Sequence, residues 1–272
     1  MKRGKMKVVI LAAASSKYFP LLIAKPKCLY HKNGVIQLER VIENVKKVVP
    51  EKDIIVVGGY KYWEIAKFLK KYPEIILKVN HKYKRPAIYS FRKAIENETE
   101  DIVFTYGDES ISARNIRRIA ENNRKMSILY HDNYYFYSLG IFKLRKDQLE
   151  IFQDDRYLDM NVIKEIYCFA NNKPQYDGTF GINSGICIGY MIIDFIRRIG
   201  SLEKIENPSL YSGTDIGFLH YDPKNEYIED LDYIEDTDEY RNNWLLRLYN
   251  DYVSNVIKRG CIYFKKIVRL FE

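Results

Sequence analysis

The chain has 272 residues, 47% of them hydrophobic and 29% charged, enough to bury a substantial core, and no Pro-, Ser- or Gly-rich linker divides it. Its formal charge of +8 favours anionic partners, whether nucleotides, phosphorylated metabolites, nucleic acid or an acidic membrane surface, but selects none of them; an A- and T-rich source genome accounts for the excess of Lys, Ile, Tyr and Asn equally well. Cys28, Cys168, Cys187 and Cys261 are far apart and form no C-x-x-C pair, which argues against a zinc knuckle or redox motif and leaves them as reduced core thiols.

In chain order, the basic start Met1 to Lys7 and the short apolar run Val8 to Ala14 lead into Ser15, Ser16 and Lys17 without a cleavage site, so no signal peptide is read here. Strands are predicted at Lys7–Ala13, Asp53–Gly58, Glu74–Asn80, Asp101–Tyr106 and Met126–His131. Helices are predicted between them at Gln37–Val48, Tyr62–Lys71, Arg85–Ile95 and Ala113–Asn123, each with apolar residues three and four apart. This βαβ alternation specifies an α/β fold with a Rossmann-like, doubly wound, mainly parallel mixed sheet. Beyond Tyr130 the alternation fades into α+β elaboration, with strands near Tyr134–Lys143 and Ile182–Met191 and a helix over Ile193–Leu202. The apolar region Ile182 to Ile199 is interrupted by Asn183, Asp194, Arg197 and Arg198, so it cannot span a membrane. Trp244, Leu245, Leu248, Tyr252 and Val256 predict a terminal helix over Tyr240–Arg259, followed by a basic amphipathic tail. One domain over 1–272 is expected, with a first half at 1–132, a second half at 133–240 and a C-terminal helix and tail at 241–272. The expected location is cytoplasmic.

Ligands of such sheets sit beyond the carboxyl ends of the strands. Four clusters lie there: Ala13 to Lys17, Gly58 to Lys61, Asn80 to Tyr83 and Gly107 to Glu109. The first is a turn of small residues after a buried strand, followed at a fixed distance by Pro26-Lys27. Small residues let backbone N–H groups approach phosphate oxygens, and a lysine beyond them neutralises charge.

The segment V-V-I-L-A-A-A-S-S-K-Y-F-P-L-L-I-A-K-P-K-C-L, Val8 to Leu29, resembles the opening L-A-A-G-x-G-T-R-x-x-P-L-T-x-x-x-P-K-x-L of the sugar-nucleotide pyrophosphorylase and phosphocholine cytidylyltransferase superfamily. Leu11, Ala12, Ala13, Pro20, Leu21, Pro26, Lys27 and Leu29 match. Asn33 to Val45, Ile54 to Tyr60, Asn80, Tyr89-Ser90 and Tyr106 to Asp108 follow in the family order. The resemblance implies a nucleotide-diphospho-sugar transferase, GT-A-like fold, with 1–132 as its nucleotide-binding half and 133–240 as its acceptor-binding half. It implies nucleotide contacts at Leu11, Ala12, Ala13, Ala14, Ser15, Ser16, Lys17, Lys27 and Gly59, and acceptor contacts at Asn80 and Ser90. Ala14 and Ser16 replace glycines of the family loop, the loop is one residue shorter, and Lys17 stands in for its arginine with a point charge rather than a bidentate fork.

Nucleotidyl transfer needs cations at the α-phosphorus and at the departing pyrophosphate more than it needs acid–base groups. Mg2+ is the implied cofactor, held by Asp108, just past the fourth strand, and by Asp236 in the run Glu235-Asp236-Thr237-Asp238-Glu239-Tyr240, which resembles the family's D-T-P-E-D-Y. Asp232 is the fallback ligand. Asp108 is also readable as an N-cap for the helix near Ala113. Tyr130, Tyr134, Tyr135 and Tyr137 are read as alternating residues of a half-buried strand in preference to a choline cage. His31, His81, His131 and His220 lack metal spacing and are assigned no role.

The expected activity joins a nucleoside triphosphate, CTP being favoured by Asn80 with Tyr89-Ser90, to a phosphorylated small metabolite such as phosphocholine or a sugar 1-phosphate. Nucleic acid is not an expected partner, no transmembrane segment is expected, and a homodimer is left open. Two alternatives remain: a glycosyltransferase using Asp230-Leu231-Asp232 as a metal clamp, and a nucleotide-binding homologue without catalysis.

Overall fold

The computed structural model describes residues 5–14, 25–84, 88–130, 141–170, 175, 194, 216–220, 229–230 and 237–242. Its centre is β1 (Met6–Ala12), in which Val8, Val9 and Ile10 are fully buried. A strand apolar on both faces must be covered on both, and parallel neighbours with crossover helices provide that cover. β1 pairs in parallel with β4 (Ile54–Gly58) on one side and β6 (Asp101–Tyr106) on the other. β5 (Ile76–Val79) extends the sheet beyond β4, again in parallel. Past β6 the direction changes: β9 (Phe142–Leu144) runs antiparallel between β6 and β8 (Met126–Tyr130), and β10 (Ile216–His220) closes the edge parallel to β8. The order is β10-β8-β9-β6-β1-β4-β5, a mixed, mainly parallel sheet.

Alternate residues of β1 enter separate cores. Val8, Ile10 and Ala12 pack with Leu38, Val41, Ile42 and Val45 of α1 (Gln37–Lys46), Ile65 and Leu69 of α2 (Tyr62–Leu69), and Ile116 and Ile119 of α4 (Ala113–Glu121). Val9 and Leu11 pack with Phe91 and Ala94 of α3 (Ile88–Ile95), with the 3-10 segment Lys146–Gln153, and with Ile163 and Ile166 of α5 (Met160–Ala170). Phe91, Phe104, Phe142 and Phe152 form the centre of this second layer, with Phe104 4.8 Å from both Phe91 and Phe142 between ring centroids.

The helices α1, α2 and α4 end two residues short of their predicted bounds, α3 ends at Ile95 as expected, and α4 starts at Ala113 as expected. Its N-cap is Ser112, whose hydroxyl accepts from the Asn115 N–H; Asp108 is therefore not the cap. The alternation rule missed four features. They are α5, the hairpin of β2 (His31–Lys32) and β3 (Val35–Ile36), the short strand pair β7 (Glu109–Ser110) and β11 (Glu229–Asp230), and the insertion of β9 beside β6. Of the predicted strand Tyr134–Lys143 only its end is described, as the start of β9; Ile182–Met191 and all but Asp194 of the helix Ile193–Leu202 lie outside the described residues, as does the terminal helix beyond Asn242.

Among the described residues no helix is long and apolar enough to cross a membrane.

Candidate active site

Strand order reverses around β1: the chain runs outward through β4 and β5, then returns to place β6 on the other flank. The crevice beyond the carboxyl ends of β1 and β6 is thus the topological switch point of the sheet. Both neighbours are tied to the end of β1 by backbone hydrogen bonds. Gly107 N–H donates to Leu11 O at 2.8 Å, and Tyr60 N–H donates to Ala13 O at 3.1 Å. A Cβ on Gly107 would come within 3.2 Å of the Ala12 Cβ and 3.3 Å of the Cys28 Cβ, so glycine lets the turn carrying Asp108 close over β1.

Opposite it, Pro26 at φ −50° leads into a 3-10 turn, Lys27–Leu29, whose Cys28 and Leu29 are buried in the α1-side core. This burial fixes the turn and leaves Lys27 facing Asp108, with Nζ 2.7 Å from Oδ2. Their side chains are only 14% and 17% exposed, so water screens the pair incompletely. Burial, with the Asp108 carboxylate adding to it, pushes the Cys28 thiol well above its ordinary range, which keeps it an inert core group. Gln37, fully buried at the start of α1, donates from Nε2 to the Asp108 carbonyl at 3.2 Å, and Asn44, about two turns further along the same face, donates to Ile111 O at 3.0 Å. α1 therefore braces the whole β6–α4 connection. Nothing in the spacing of Gln37 marks it; only the fold reveals it as a positioning residue.

The acidic run beginning at Asp230 reaches the same region from the far end of the chain. β11 pairs antiparallel with β7, setting Asp230 opposite Glu109, the residue after Asp108. At the other end of the run, Asp238 and Glu239 dock on the β2–β3 hairpin. Asn33 and Gly34 have positive φ, 54° and 76°, as the primed two-residue turn requires. Their N–H groups donate to Asp238 Oδ1 and Oδ2 at 3.1 and 2.6 Å. Glu239 accepts from Lys25 Nζ at 2.6 Å and from the His31 backbone N–H, and its Oε1 lies 2.7 Å from His31 Nδ1. Burial pushes the Glu239 carboxyl up, but the His31 and Lys25 hydrogen bonds outweigh it and hold the group below its ordinary value. His31, given no role on spacing alone, is thus a structural anchor.

Of the predicted site residues, Lys27 and Asp108 are in contact. Leu11, Ala12 and Ala13 are buried at the end of β1 and Ala14 is exposed beyond it. Gly59 lies against Ala13, where a Cβ would meet Ala13 O at 2.8 Å and the Tyr83 Cβ at 2.5 Å. Gly59→Ala is expected to destabilise by about 1–3 kcal/mol, because both obstacles are fixed close to the main chain; thermal denaturation checks it, and a wild-type Tm would show that the two loops yield freely. Asn80 and Ser90 are buried and bonded to each other, Nδ2 to Oγ, at 2.9 Å, while Asn80 Oδ1 accepts from the Lys82 N–H at 2.9 Å. Their polar groups hold the 80–83 turn. Ser15, Ser16, Lys17, Asp232 and Asp236 lie outside the described residues, as do Tyr134, Tyr135 and Tyr137. Among the described residues no three His, Cys, Asp or Glu side chains cluster as a metal cage.

Residues 24–166, more than half of the chain, match the family described as "Domain of unknown function (DUF6564)". No curated protein matches the chain. Among solved structures, the inositol-1-phosphate CTP transferase from T. maritima superposes with a TM-score of 0.56 at 14% identity, over 87% of this chain and 93% of that one. The CTP:phosphocholine cytidylyltransferase from Streptococcus pneumoniae superposes with a TM-score of 0.56 at 18% identity, over 90% of this chain and 99% of that one. At such identities the likeness speaks for the fold, and it agrees with the doubly wound sheet. The chain belongs to the DUF6564 family, and it shares its fold with these two transferases.

Proposed function

We propose that the protein is a nucleotidyltransferase that joins a nucleoside monophosphate, from CTP in preference to other triphosphates, to a phosphorylated small metabolite. The observation that carries this reading is the convergence of Lys27 and Asp108 at 2.7 Å in the switch-point crevice, at the end of β1. The superposed transferases are named for CTP and for phosphorylated alcohols, and phosphocholine or a sugar 1-phosphate is the acceptor class this favours.

In the proposed reaction an acceptor phosphate oxygen, already ionised at neutral pH, attacks the α-phosphorus in line. The new P–O bond forms as the bond from the α-phosphorus to the bridging oxygen breaks, and pyrophosphate carries away that electron pair. No protein base is required. Lys27 neutralises charge on the phosphates, and the small residues that follow β1 in sequence are the proposed source of backbone N–H donors to them. The donor chemistry of Asp108 fits Mg2+: a hard carboxylate at a strand end, with phosphate oxygens completing a shell that this ion takes from one or two carboxylates plus substrate. Asp236 is the proposed second ligand, with Asp232 as fallback. Bound there, the ion supplies charge neutralisation at the α-phosphate. A homodimer is compatible with this reading, and the chain organisation we favour is one domain.

The experiment is to incubate the protein with each NTP, magnesium and a panel of phosphocholine and sugar 1-phosphates, and to measure pyrophosphate. Release requiring both substrates is expected. Transfer from a ready-made nucleotide sugar would instead support a glycosyltransferase using Asp230-Leu231-Asp232, a reading favoured by the seating of Asp230 opposite Glu109. Nucleotide binding without turnover would support a homologue that kept the fold and lost the glycine loop.

A further inference from the structure

The chemistry of phosphate and metal leaves unused an aromatic wall beside Gly59. Tyr60 and Tyr83 are half-buried, with ring centroids 6.0 Å apart and planes at 61°, an edge-to-face pair. Two anchors fix this pair to the end of β1. Tyr60 N–H holds Ala13 O, and the Tyr83 Cβ fills the space a side chain on Gly59 would take. The turn that carries Tyr83 is itself held from within by Asn80, bonded to Ser90 and to the Lys82 N–H. The rings thus stand at a set distance from the residues that lead into the small-residue loop.

We infer, on the basis of the nucleotidyl-transfer reading, that Tyr83 and Tyr60 are specificity-determining residues that take the planar base of the nucleoside triphosphate. The surrounding charge decides between a base and a cationic acceptor group. Lys61 Nζ lies 5.7 Å from the Tyr60 ring centroid, although Glu64 also pairs with it at 3.4 Å; Lys82 Nζ lies 5.2 Å from the Tyr89 ring; Lys84 is exposed. A quaternary ammonium would meet like charge at this wall. A neutral base tethered to a triphosphate brings a π face to the tyrosines and negative charge to the lysines.

The test compares nucleotide with bare phosphate chain. CTP and inorganic tripolyphosphate are titrated calorimetrically, each with magnesium, into the wild-type protein and into Tyr83→Leu, Tyr83→Phe and Tyr60→Leu. Stacking contacts of this kind predict that Tyr83→Leu weakens CTP about tenfold or more, leaves tripolyphosphate within about twofold, and is matched in direction by Tyr60→Leu. Tyr83→Phe, which keeps the ring, should bind CTP like wild type. Thermal unfolding of each variant identifies any that does not fold, and the remaining ring variant then carries the comparison. CTP binding unchanged in the Leu variants, CTP and tripolyphosphate weakened equally, or a raised acceptor KM with CTP binding unchanged would each overturn the inference. Wild-type protein that binds no nucleoside triphosphate would overturn the nucleotidyltransferase reading itself, an outcome distinct from failure at the tyrosines.

Discussion

Asp108→Asn is expected to lower pyrophosphate release by about a thousandfold or more while leaving the protein folded. Removing one charged or hydrogen-bonding group from a preorganised phosphate site already costs about 10²–10³ in rate, and this change takes the charge from a proposed metal ligand as well. The amide keeps the carboxylate's shape and an oxygen that can accept from Lys27 Nζ, now 2.7 Å from Oδ2. The Gln37 bond to the Asp108 carbonyl does not involve the side chain and survives the substitution. A thermal midpoint within a few degrees of wild type, measured beside the turnover assay, separates lost chemistry from lost fold. Near-wild-type release by a folded Asp108→Asn protein would remove Asp108 from the mechanism.

Glu98→Ala is expected to destabilise the protein strongly although it lies away from the site. Glu98 has a side chain only 6% exposed; its Oε2 takes Lys7 Nζ at 2.6 Å and its Oε1 takes Lys78 Nζ at 2.7 Å. Lys7 is the second residue of β1, whereas Lys78 lies on β5 and also donates to the Ala94 and Glu96 carbonyls at 2.8 Å, capping the end of α3. One carboxylate therefore ties the central strand to the outer strand and its helix. Truncating it leaves two partly buried ammonium groups without this partner, at a cost of about 3 kcal/mol or more. Urea denaturation of the two proteins measures the difference; a loss under about 1 kcal/mol would mean that water replaces the carboxylate.

The same network sets a pH dependence. Burial raises the Glu98 carboxyl, but the hydrogen bonds from Lys7 and Lys78 more than offset it, and the group lies below its ordinary value of 4.5. A depressed carboxylate contributes stability above its unfolded value and loses it as pH falls through the folded one. The wild-type advantage over Glu98→Ala should therefore hold near neutrality and shrink below about pH 4.5. Lys7, raised above 10.5 chiefly by its hydrogen bond to Glu98, adds the opposite limb: its contribution is present below that value and is lost at higher pH. An advantage that grows in acid would contradict the assignment.

Much of this architecture was readable before any coordinates. β1, β4, β5 and β6 follow from β-branched runs bounded by turn formers, and α1 to α4 from apolar positions three and four apart. Local pattern suffices because each such segment must hide its own apolar face wherever it ends up. The Asn33-Gly34 pair was also a legible hairpin signal that the βαβ pattern obscured. The antiparallel insertion of β9 was not legible, since three residues, Phe142, Lys143 and Leu144, carry no period long enough to state a direction.

For the site, family resemblance to the loop and to the Pro26-Lys27 and Tyr106-Gly107-Asp108 motifs placed Lys27 and Asp108 together, and residue types alone would not have done so. Asn80 and Ser90 stand in the family pattern as acceptor-side residues, and their buried bond to each other is a matter of how α3 packs beside β5. Gln37, Lys25 and His31 escaped notice because their partners, Asp108 and Glu239, are distant in sequence; the separations are 71 residues for Gln37 and more than 200 for the other two.

By itself the sequence determined the period of each element and the glycines that close turns over β1, and its family resemblance singled out the lysine and aspartate proposed for phosphate and metal. Tertiary structure alone decided which of these groups face one another, that the acidic run is pinned at both ends, and that Tyr83 packs against Gly59 and meets Tyr60 edge to face. The physical reason is that periodicity is a property of neighbours along the chain. A hydrogen bond or ion pair spans a few ångströms, and closing one between remote residues depends on the packing of everything between them.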